Sequence, residues 1–562
     1  MVSKKHTAFG AMQRVAALLR GDWRDIGVIL VYAVGVGLCS LVFPVAVKSL
    51  VNTVAFGTLL QPVIVLTIIV GGVLVFAGTM RVFQLYTVEL LQRRLVTRLG
   101  LTLAARIPHI NHEKFSEKFG PEYVLRFFEV FQVQKAIAVL LLDGIALFFQ
   151  IFLGLALVSF YHPFFLAFAL SLIVIVTVVL SLLGWNGVNT AIEESDAKYD
   201  VVTWLQDLAS ASTVFKSYAG ESYAANRADM LITRYLKRRS THFHIIARTV
   251  IAALLLQAAA SATLLGLGGW LVINGQLTLG QLVAAELIFS IILVSISKLG
   301  KNLETFYDLA AGVTKLDAIL DLPFEELQGS MMGVRETPAQ LRLEEVSIGR
   351  TGSANPTLSN TSLDVQPGEK IAIWGGNGSG KSYLGNMAYR LAEPSKGIVR
   401  LDEFNVASIH PQELRDEISL IRDVEIFHGT IRDNLIVGRT SVSDAQIGVA
   451  LEQVGLIDEV FSLSLGLDTV LRGTAAPLSR GQALRLMVAR GLLAKPRLLI
   501  LDGTVDMIDE KTRKLVLYSL LSKECPWTTV VLTHEEDILP LFPKAYQISS
   551  GRFVEIGGAR QV

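Results

Sequence analysis

A run of eight residues, Gly375, Gly376, Asn377, Gly378, Ser379, Gly380, Lys381 and Ser382, carries the strongest chemical signal in the chain. It follows the apolar stretch Ile371 to Trp374 and precedes a helical run that opens at Tyr383 and Leu384. Glycines at these spacings let the backbone curl so that successive N–H groups face a phosphate, while the next helix offers its positive N-terminal end. Lys381 is then placed to reach β- and γ-phosphate oxygens, and Ser382 to hold Mg²⁺. A glycine-rich turn with no ligand is the alternative; the strand before and the helix after weigh against it.

Two further groups fall where chemistry could use them. Asp502 ends the run Arg497 to Leu501, so its carboxylate would stand at a strand tip and reach the same Mg²⁺ directly or through water. His534 follows the run Thr528 to Leu532. A lone histidine is usually a satisfied structural residue, but one placed just past a strand in this order favours a functional role. These short β-like runs alternate with helical segments, which predicts an α/β domain with a mostly parallel sheet to position all three groups. Leu478-Ser479-Arg480-Gly481-Gln482 opens another helix between them.

The first half of the chain is of another kind. Apolar residues make up 51% of the 562 and charged residues only 18%. Six apolar runs, near 26–51, 63–86, 137–159, 163–185, 249–273 and 281–300, reach the length a helix needs to cross a bilayer. Leu170 to Gly184 carries no charge, which argues against a large soluble helical protein. A net charge of +1 with no basic patch gives no support for a nucleic-acid partner. Cys39 and Cys525 are too far apart to suggest a disulfide framework, and no metal cluster or CxxC motif accompanies them. The stretch before the first apolar run lacks a signal-peptide cleavage site and is expected to be too short for an N-terminal peptidase domain.

Basic residues collect on one side of the runs. Asn52 to Pro62, Phe160 to His162 and Asn274 to Gly280 contain no Lys or Arg, whereas the long connections hold Arg93, Arg94, Arg98, Lys118, Arg126 and then Lys198, Arg234, Lys237, Arg238 and Arg239. Both termini and both long loops are therefore expected on the cytoplasmic side. The loops read as helical continuations of the membrane helices, with tips near Lys118 to Glu122 and Ala209 to Gly220. A polar linker, 322–340, should separate a transmembrane domain, 1–321, from the α/β domain, 341–562.

Six membrane helices, a phosphate loop, Ser479-Arg480-Gly481-Gln482, Asp502, Asp509 and His534 in this order resemble the ATP-binding cassette (ABC) transporter family, in the layout of an exporter half-transporter. The resemblance covers nearly the whole chain. It implies a polytopic α-helical membrane domain followed by an α/β P-loop nucleotide-binding domain. Ser479, Gly481 and Gln482 are similar to the family's signature, Asp509 to its D-loop aspartate, and His534 to its switch histidine. In that family two cassettes dimerise head to tail, with each ATP held between one chain's phosphate loop and the other's signature helix. Closure turns the membrane helices outward and hydrolysis resets them, and the two loop tips would be the coupling helices.

Three departures from the family pattern concern catalysis. Gly503 stands where the family has the glutamate that polarises the attacking water, and glycine has no group to accept a proton. The glutamine that contacts Mg²⁺ falls at Arg422, with Asp423 the alternative one residue on. The aromatic that stacks on adenine is replaced by Arg350, whose guanidinium plane could still stack on the base. The expectation is one half of a dimeric exporter whose own site binds ATP and Mg²⁺ but hydrolyses poorly, with catalytic groups His534 and Asp502. Its partner would be a second half, a different chain in preference to a copy, in a bacterial inner membrane or, alternatively, an organelle membrane. The alternative function is an ATP-gated regulatory or assembly subunit that transports nothing. Peptides, proteins, lipids and drug-like molecules all remain open as substrates. Lys48, Arg81, Glu89, Glu286 and Lys298 lie in or near membrane runs, where they could line a path or pair with one another.

Overall fold

The computed structural model describes residues 8–56, 60–112, 125–333, 335–349, 356–473, 475–522 and 525–557. Backbone contacts divide the chain into two units, one of residues 1–110 and 118–323, the other of 111–117 and 324–562. Arg350 and the loop tip expected near Lys118 to Glu122 lie outside the described residues.

The first unit holds six helical stretches long and apolar enough to cross a membrane: Met12–Thr53, Leu60–His109, Arg126–Ser159, Pro163–Ser210, Tyr218–Ile273 and Leu279–Leu320. Local chemistry sets their ends. Pro163 starts its helix with His162 Nδ1 accepting from the Phe164 N–H at 3.1 Å, and Thr278 and Gln281 form a reciprocal capping box at the start of the last helix. The helices outrun the bilayer: the 56 residues from Tyr218 to Ile273 span about 84 Å against a hydrocarbon core of about 30 Å. Their polar extensions pair along the hairpin of Gly187–Ser210 with Tyr218–Ile273, through Arg234–Asp200 at 2.9 Å, Arg238–Glu193 at 2.6 Å and Arg239–Glu194 at 2.9 Å. The turn of this hairpin occupies 211–217.

Among the polar groups of the apolar runs, Arg81, Glu89 and Lys48 find partners, while Glu286 Oε2 is buried without one among the described residues. Arg81 donates to Asp143 at 2.8 Å, to Gln84 at 3.0 Å and to the Leu142 carbonyl at 2.8 Å. That carbonyl lies in a single π turn, Leu140–Gly144, where the helical hydrogen-bond ladder is interrupted. Glu89 pairs with Arg93 one turn on, and Lys48 sits 4.3 Å over the Tyr161 ring.

The second unit is built on a six-stranded sheet in the order β12-β11-β3-β10-β9-β6. Its strands are β3 (Lys370–Trp374), β6 (Ile418–Ile421), β9 (Leu498–Asp502), β10 (Thr528–Thr533), β11 (Lys544–Ser549) and β12 (Arg552–Glu555); all neighbours are parallel except β11 and β12. β1 (Leu341–Ile348), β2 (Leu358–Val365), β4 (Lys396–Leu401) and β5 (Phe404–Asn405) form a separate antiparallel sheet, and β7 (Gly429–Thr430) pairs with β8 (Val470–Leu471).

Because successive side chains of a strand face opposite ways, a strand apolar at every position must be covered on both faces. Ile371, Ile373, Leu498, Ile500, Val530 and Leu532 pack with Leu384 and Met387 of the helix Lys381–Ala388 and with the antiparallel sheet. Ala372, Leu499, Leu501 and Val531 pack on the other face with Leu486 and Val488 of the helix Arg480–Leu493 and Val516 and Leu517 of the helix Glu510–Leu520. Two separate cores thus clamp the sheet, and its strand ends are held in fixed order.

Candidate functional site

Parallel pairing places the carboxyl ends of β3, β10, β9 and β6 side by side on one edge, where ligands of open α/β sheets bind. In register, Thr533 faces Trp374, Leu532 faces Asp502 and Ile421 faces Leu501. The residues after each strand are therefore neighbours: the loop from Gly375, then His534, then Gly503, then Arg422. Three hydrogen bonds stitch these tips together. Trp374 Nε1 donates to the His534 carbonyl at 3.1 Å, Gly503 N to the Leu532 carbonyl at 2.9 Å, and the buried Thr504 hydroxyl to the Ile421 carbonyl at 2.8 Å.

These tips surround a cleft of about 920 Å³ lined by Asn377 to Tyr383, Arg422, Asp423, Asp502, Gly503, Asp506 and His534 among others. Gly378 and Gly380 hold φ of +79° and +104°, and a Cβ on Gly380 would press within 3.0 Å of Thr357 and 3.1 Å of Leu358. Only glycine fits that point of the loop. Lys381 donates to the carbonyls of Gly375 and of Gly376, the latter at 3.0 Å, and so bends back over the loop it follows. Ser382 Oγ donates to Asp502 Oδ1 at 3.1 Å. Burial holds the Lys381 amine below its usual range, against the pull of Asp506 and Asp502, and pushes the Asp502 carboxyl up, against Ser382, Arg422 and Lys381. Both charges are thus poorly solvated, and a ligand that brings opposite charge to each would stabilise them.

The donor set suits a hard cation. The Ser382 hydroxyl and Asp502 carboxylate are adjacent oxygens, and Mg²⁺ binds by one or two such protein groups plus phosphate oxygens and water. No group of three or more His, Cys, Asp or Glu able to enclose a metal occurs among the described residues, which fits a cation shared with a polyphosphate.

One residue of the cleft gave no signal in the sequence. Asp506 has a side chain only 1% exposed; its Oδ2 lies 2.7 Å from His534 Nδ1 and accepts from the His534 backbone N–H at 3.1 Å, while Oδ1 accepts from the Thr533 hydroxyl. Both oxygens are engaged, so Asp506 orients His534 and is not free to draw a proton from water. Nε2, the other ring nitrogen, lies 3.6 Å from Glu535 Oε1.

Gly503 has φ of +66°, and a Cβ there would meet nothing within 4 Å. The backbone at this point is therefore left-handed by conformation and open by space. Arg422 and Asp423 both line the cleft but turn apart: Arg422 Nη2 donates to Asn386 Oδ1 at 2.6 Å on the phosphate-loop helix, and Asp423 lies 3.6 Å from Arg480.

Ser479, Gly481 and Gln482 do not line this cleft. Ser479 caps the helix Arg480–Leu493, accepting from the Gln482 N–H at 3.3 Å while Gln482 Oε1 accepts from the Ser479 N–H at 2.7 Å. A Cβ on Gly481 would meet nothing within 4 Å, so the start of this helix presents an open face. Asp509 caps the helix Glu510–Leu520; the hydrogen bonds to Thr512 hold its carboxyl below the usual carboxylate range.

The ABC transporter family model matches residues 358–505, and the ABC transporter transmembrane region model matches residues 26–296. The chain belongs to the ABC transporter family. Its relatives match along almost its whole length: the ATP-dependent lipid A-core flippase of Chromobacterium violaceum is 26% identical over 97% of this chain and 94% of its own, and a leukotoxin translocation ATP-binding protein of Mannheimia glucosida is 23% identical over 94% and 75%. The structure of a bacterial Atm1-family ABC exporter with ATP bound superposes with a TM-score of 0.82 at 19% identity, covering 96% of each chain. This ABC protein is accordingly a multi-pass integral membrane protein with one transmembrane region and one cassette, the architecture of an exporter half-transporter that works as a dimer and couples ATPase chemistry to transport.

Proposed function

We propose that this chain is the degenerate half of an asymmetric exporter: its own site holds ATP and turns it over slowly, while its signature helix completes the site of a different, catalytically complete half. The observation that carries the reading is the contrast at one sheet edge. The phosphate loop, Lys381, Ser382, Asp502 and His534 line one cleft, yet Gly503 offers no carboxylate and Asp506, the other acid beside it, is committed to His534. Mg²⁺, held by Ser382 and Asp502 with phosphate oxygens, would withdraw charge from the polyphosphate. Lys381 neutralises the same oxygens, Asp506 holds the His534 ring toward them, and no group of the described site positions an attacking water.

The open face at Ser479, Gly481 and Gln482, which lies outside the lining of this cleft, supports its use by a partner's nucleotide. The loops rich in Lys and Arg support a cytoplasmic position for both termini, and the two named relatives favour a bacterial inner membrane. A lipid, a peptide or protein, or a drug-like molecule would be the cargo. Arg422 and Gly503 together also suit a subunit that senses ATP without transporting anything.

ATP hydrolysis by the chain purified alone in lipid tests the proposal, with Lys381→Ala as the blank and Gly503→Glu as the probe. Near-blank activity that rises in Gly503→Glu is expected. Robust activity abolished by Lys381→Ala would show a self-sufficient homodimer and sink the reading.

A further inference from the structure

Arg422 places a fixed positive charge on the wall of the cleft nearest the cation position. β6 ends at Ile421, hydrogen-bonded through Thr504 to the tip of β9, so the residue that follows has little freedom in where it starts. Its guanidinium donates to Asn386 Oδ1 at 2.6 Å. Asn386 lies four residues after Ser382 on the helix Lys381–Ala388, hence on the same face one turn on, with Cβ atoms about 6 Å apart. A cation anchored there stands beside the Ser382–Asp502 pair that would hold Mg²⁺. Beyond Arg422 the chain is pinned again: Asn434, fully buried, accepts from the Phe427 N–H at 3.1 Å and donates to the Phe427 carbonyl at 3.0 Å.

We propose that Arg422 is the resident cation of this site, so that the cleft holds a nucleoside triphosphate with little dependence on a divalent metal. The idea rests on the nucleotide-site reading above. An arginine matches phosphate oxygens with a rigid fork of donors and is never deprotonated at working pH. It also repels a divalent ion brought to Ser382 and Asp502. A catalytic site needs that ion to withdraw charge from the transferring phosphoryl group, whereas a site that only holds nucleotide can replace it with a fixed side chain. The loss at Gly503 and the gain at Arg422 then have one explanation: both suit retention of the triphosphate over its cleavage.

The test uses the full-length chain in lipid and a fluorescent trinitrophenyl-ATP probe, titrated in excess Mg²⁺ and again in excess EDTA. For the natural chain the two affinities should agree within about threefold, while Arg422→Gln should bind about tenfold more weakly in EDTA and recover in Mg²⁺. Asn386→Ala, which leaves the charge and removes its anchor, should fall between. Thermal midpoints without nucleotide report whether each variant is folded, and Arg422→Lys, which keeps the charge without the fork, serves if Arg422→Gln is not. A natural chain whose binding collapses in EDTA overturns the role of Arg422 and leaves the nucleotide site standing. No saturable binding in either condition overturns both.

Discussion

β3 and β9 end on the same edge of one sheet with only β10 between them, and the two ends have diverged. Past β3 the chain keeps a glycine-rich phosphate cradle, down to Gly380, whose φ of +104° strains any other residue. β9 ends in Asp502 and is followed by Gly503, which offers no carboxylate. The scaffold beneath both ends is equally well packed, with Ile371, Ile373, Leu498 and Ile500 all fully buried. In the reading proposed above, absence of a catalytic group at the second tip is therefore not decay of the fold. Holding a nucleotide needs backbone N–H groups and fixed charge, which the loop and its helix supply through geometry. Cleaving it needs one more side chain at one position, and that requirement can lapse alone.

The comparison can be broken most severely at Asp506. If this acid orients His534, Asp506→Ala strips the partners from the Thr533 hydroxyl, the His534 N–H and the His534 ring at once, and the cassette should lose about 3 kcal/mol. A fall in the cassette's thermal midpoint that Asp506→Asn only partly reproduces would fit. An unchanged midpoint would mean that the carboxylate is not held by these bonds and is free for chemistry, and β9 would no longer be the deficient tip.

Gly503 gives a smaller and sharper effect. With φ of +66° and open space where a Cβ would stand, any L residue there meets backbone strain without a steric clash, so Gly503→Ala and Gly503→Glu should each cost about 1–2 kcal/mol and match one another. Only Gly503→Glu should raise hydrolysis, and then incompletely, because relaxing φ moves the new side chain. A Gly503→Glu midpoint well below that of Gly503→Ala would reveal repulsion from Asp502 or Asp506 and place the added carboxylate inside the cleft.

The cradle was legible because its chemistry is local: glycines, a lysine and a serine within one loop, bracketed by a strand and a helix that periodicity announces. The six membrane helices were legible for a related reason, since apolar runs report where the bilayer is. Their continuation past the lipid was legible too, from the helical spacing of the long loops, and Leu60–Arg106 runs through Arg93, Arg94 and Arg98 with no break in the backbone. Partnerships across the sheet were invisible. Nothing in the spacing of Asp506 and His534, or of Asn386 and Arg422, says that the elements between them fold to bring each pair into contact. Gly503 shows the remaining gap: its identity raised the expectation of a missing carboxylate, but its left-handed backbone is a property of the folded turn alone.

The smallest expected effect concerns how the deficient tip communicates. Arg422 turns to the phosphate-loop helix, while Asp423, the next residue, turns to Arg480 beside the signature serine at 3.6 Å, and Arg490 on the same helix donates to the Glu425 carbonyl at 2.8 Å. A short segment thus touches both the helix that holds this chain's own nucleotide and the helix offered to a partner. The Asp423–Arg480 pair is exposed and should be worth less than about 1 kcal/mol, so Asp423→Ala should leave the thermal midpoint nearly unchanged. Coupling is a difference between states and need not follow stability. Amide hydrogen exchange at Arg480 to Gln482, measured with and without ATP, should respond to nucleotide in the natural chain and respond less in Asp423→Ala. An equal response in both would assign the link to the Arg490–Glu425 contact or to the helix packing beneath it, and would leave Asp423 as a surface charge.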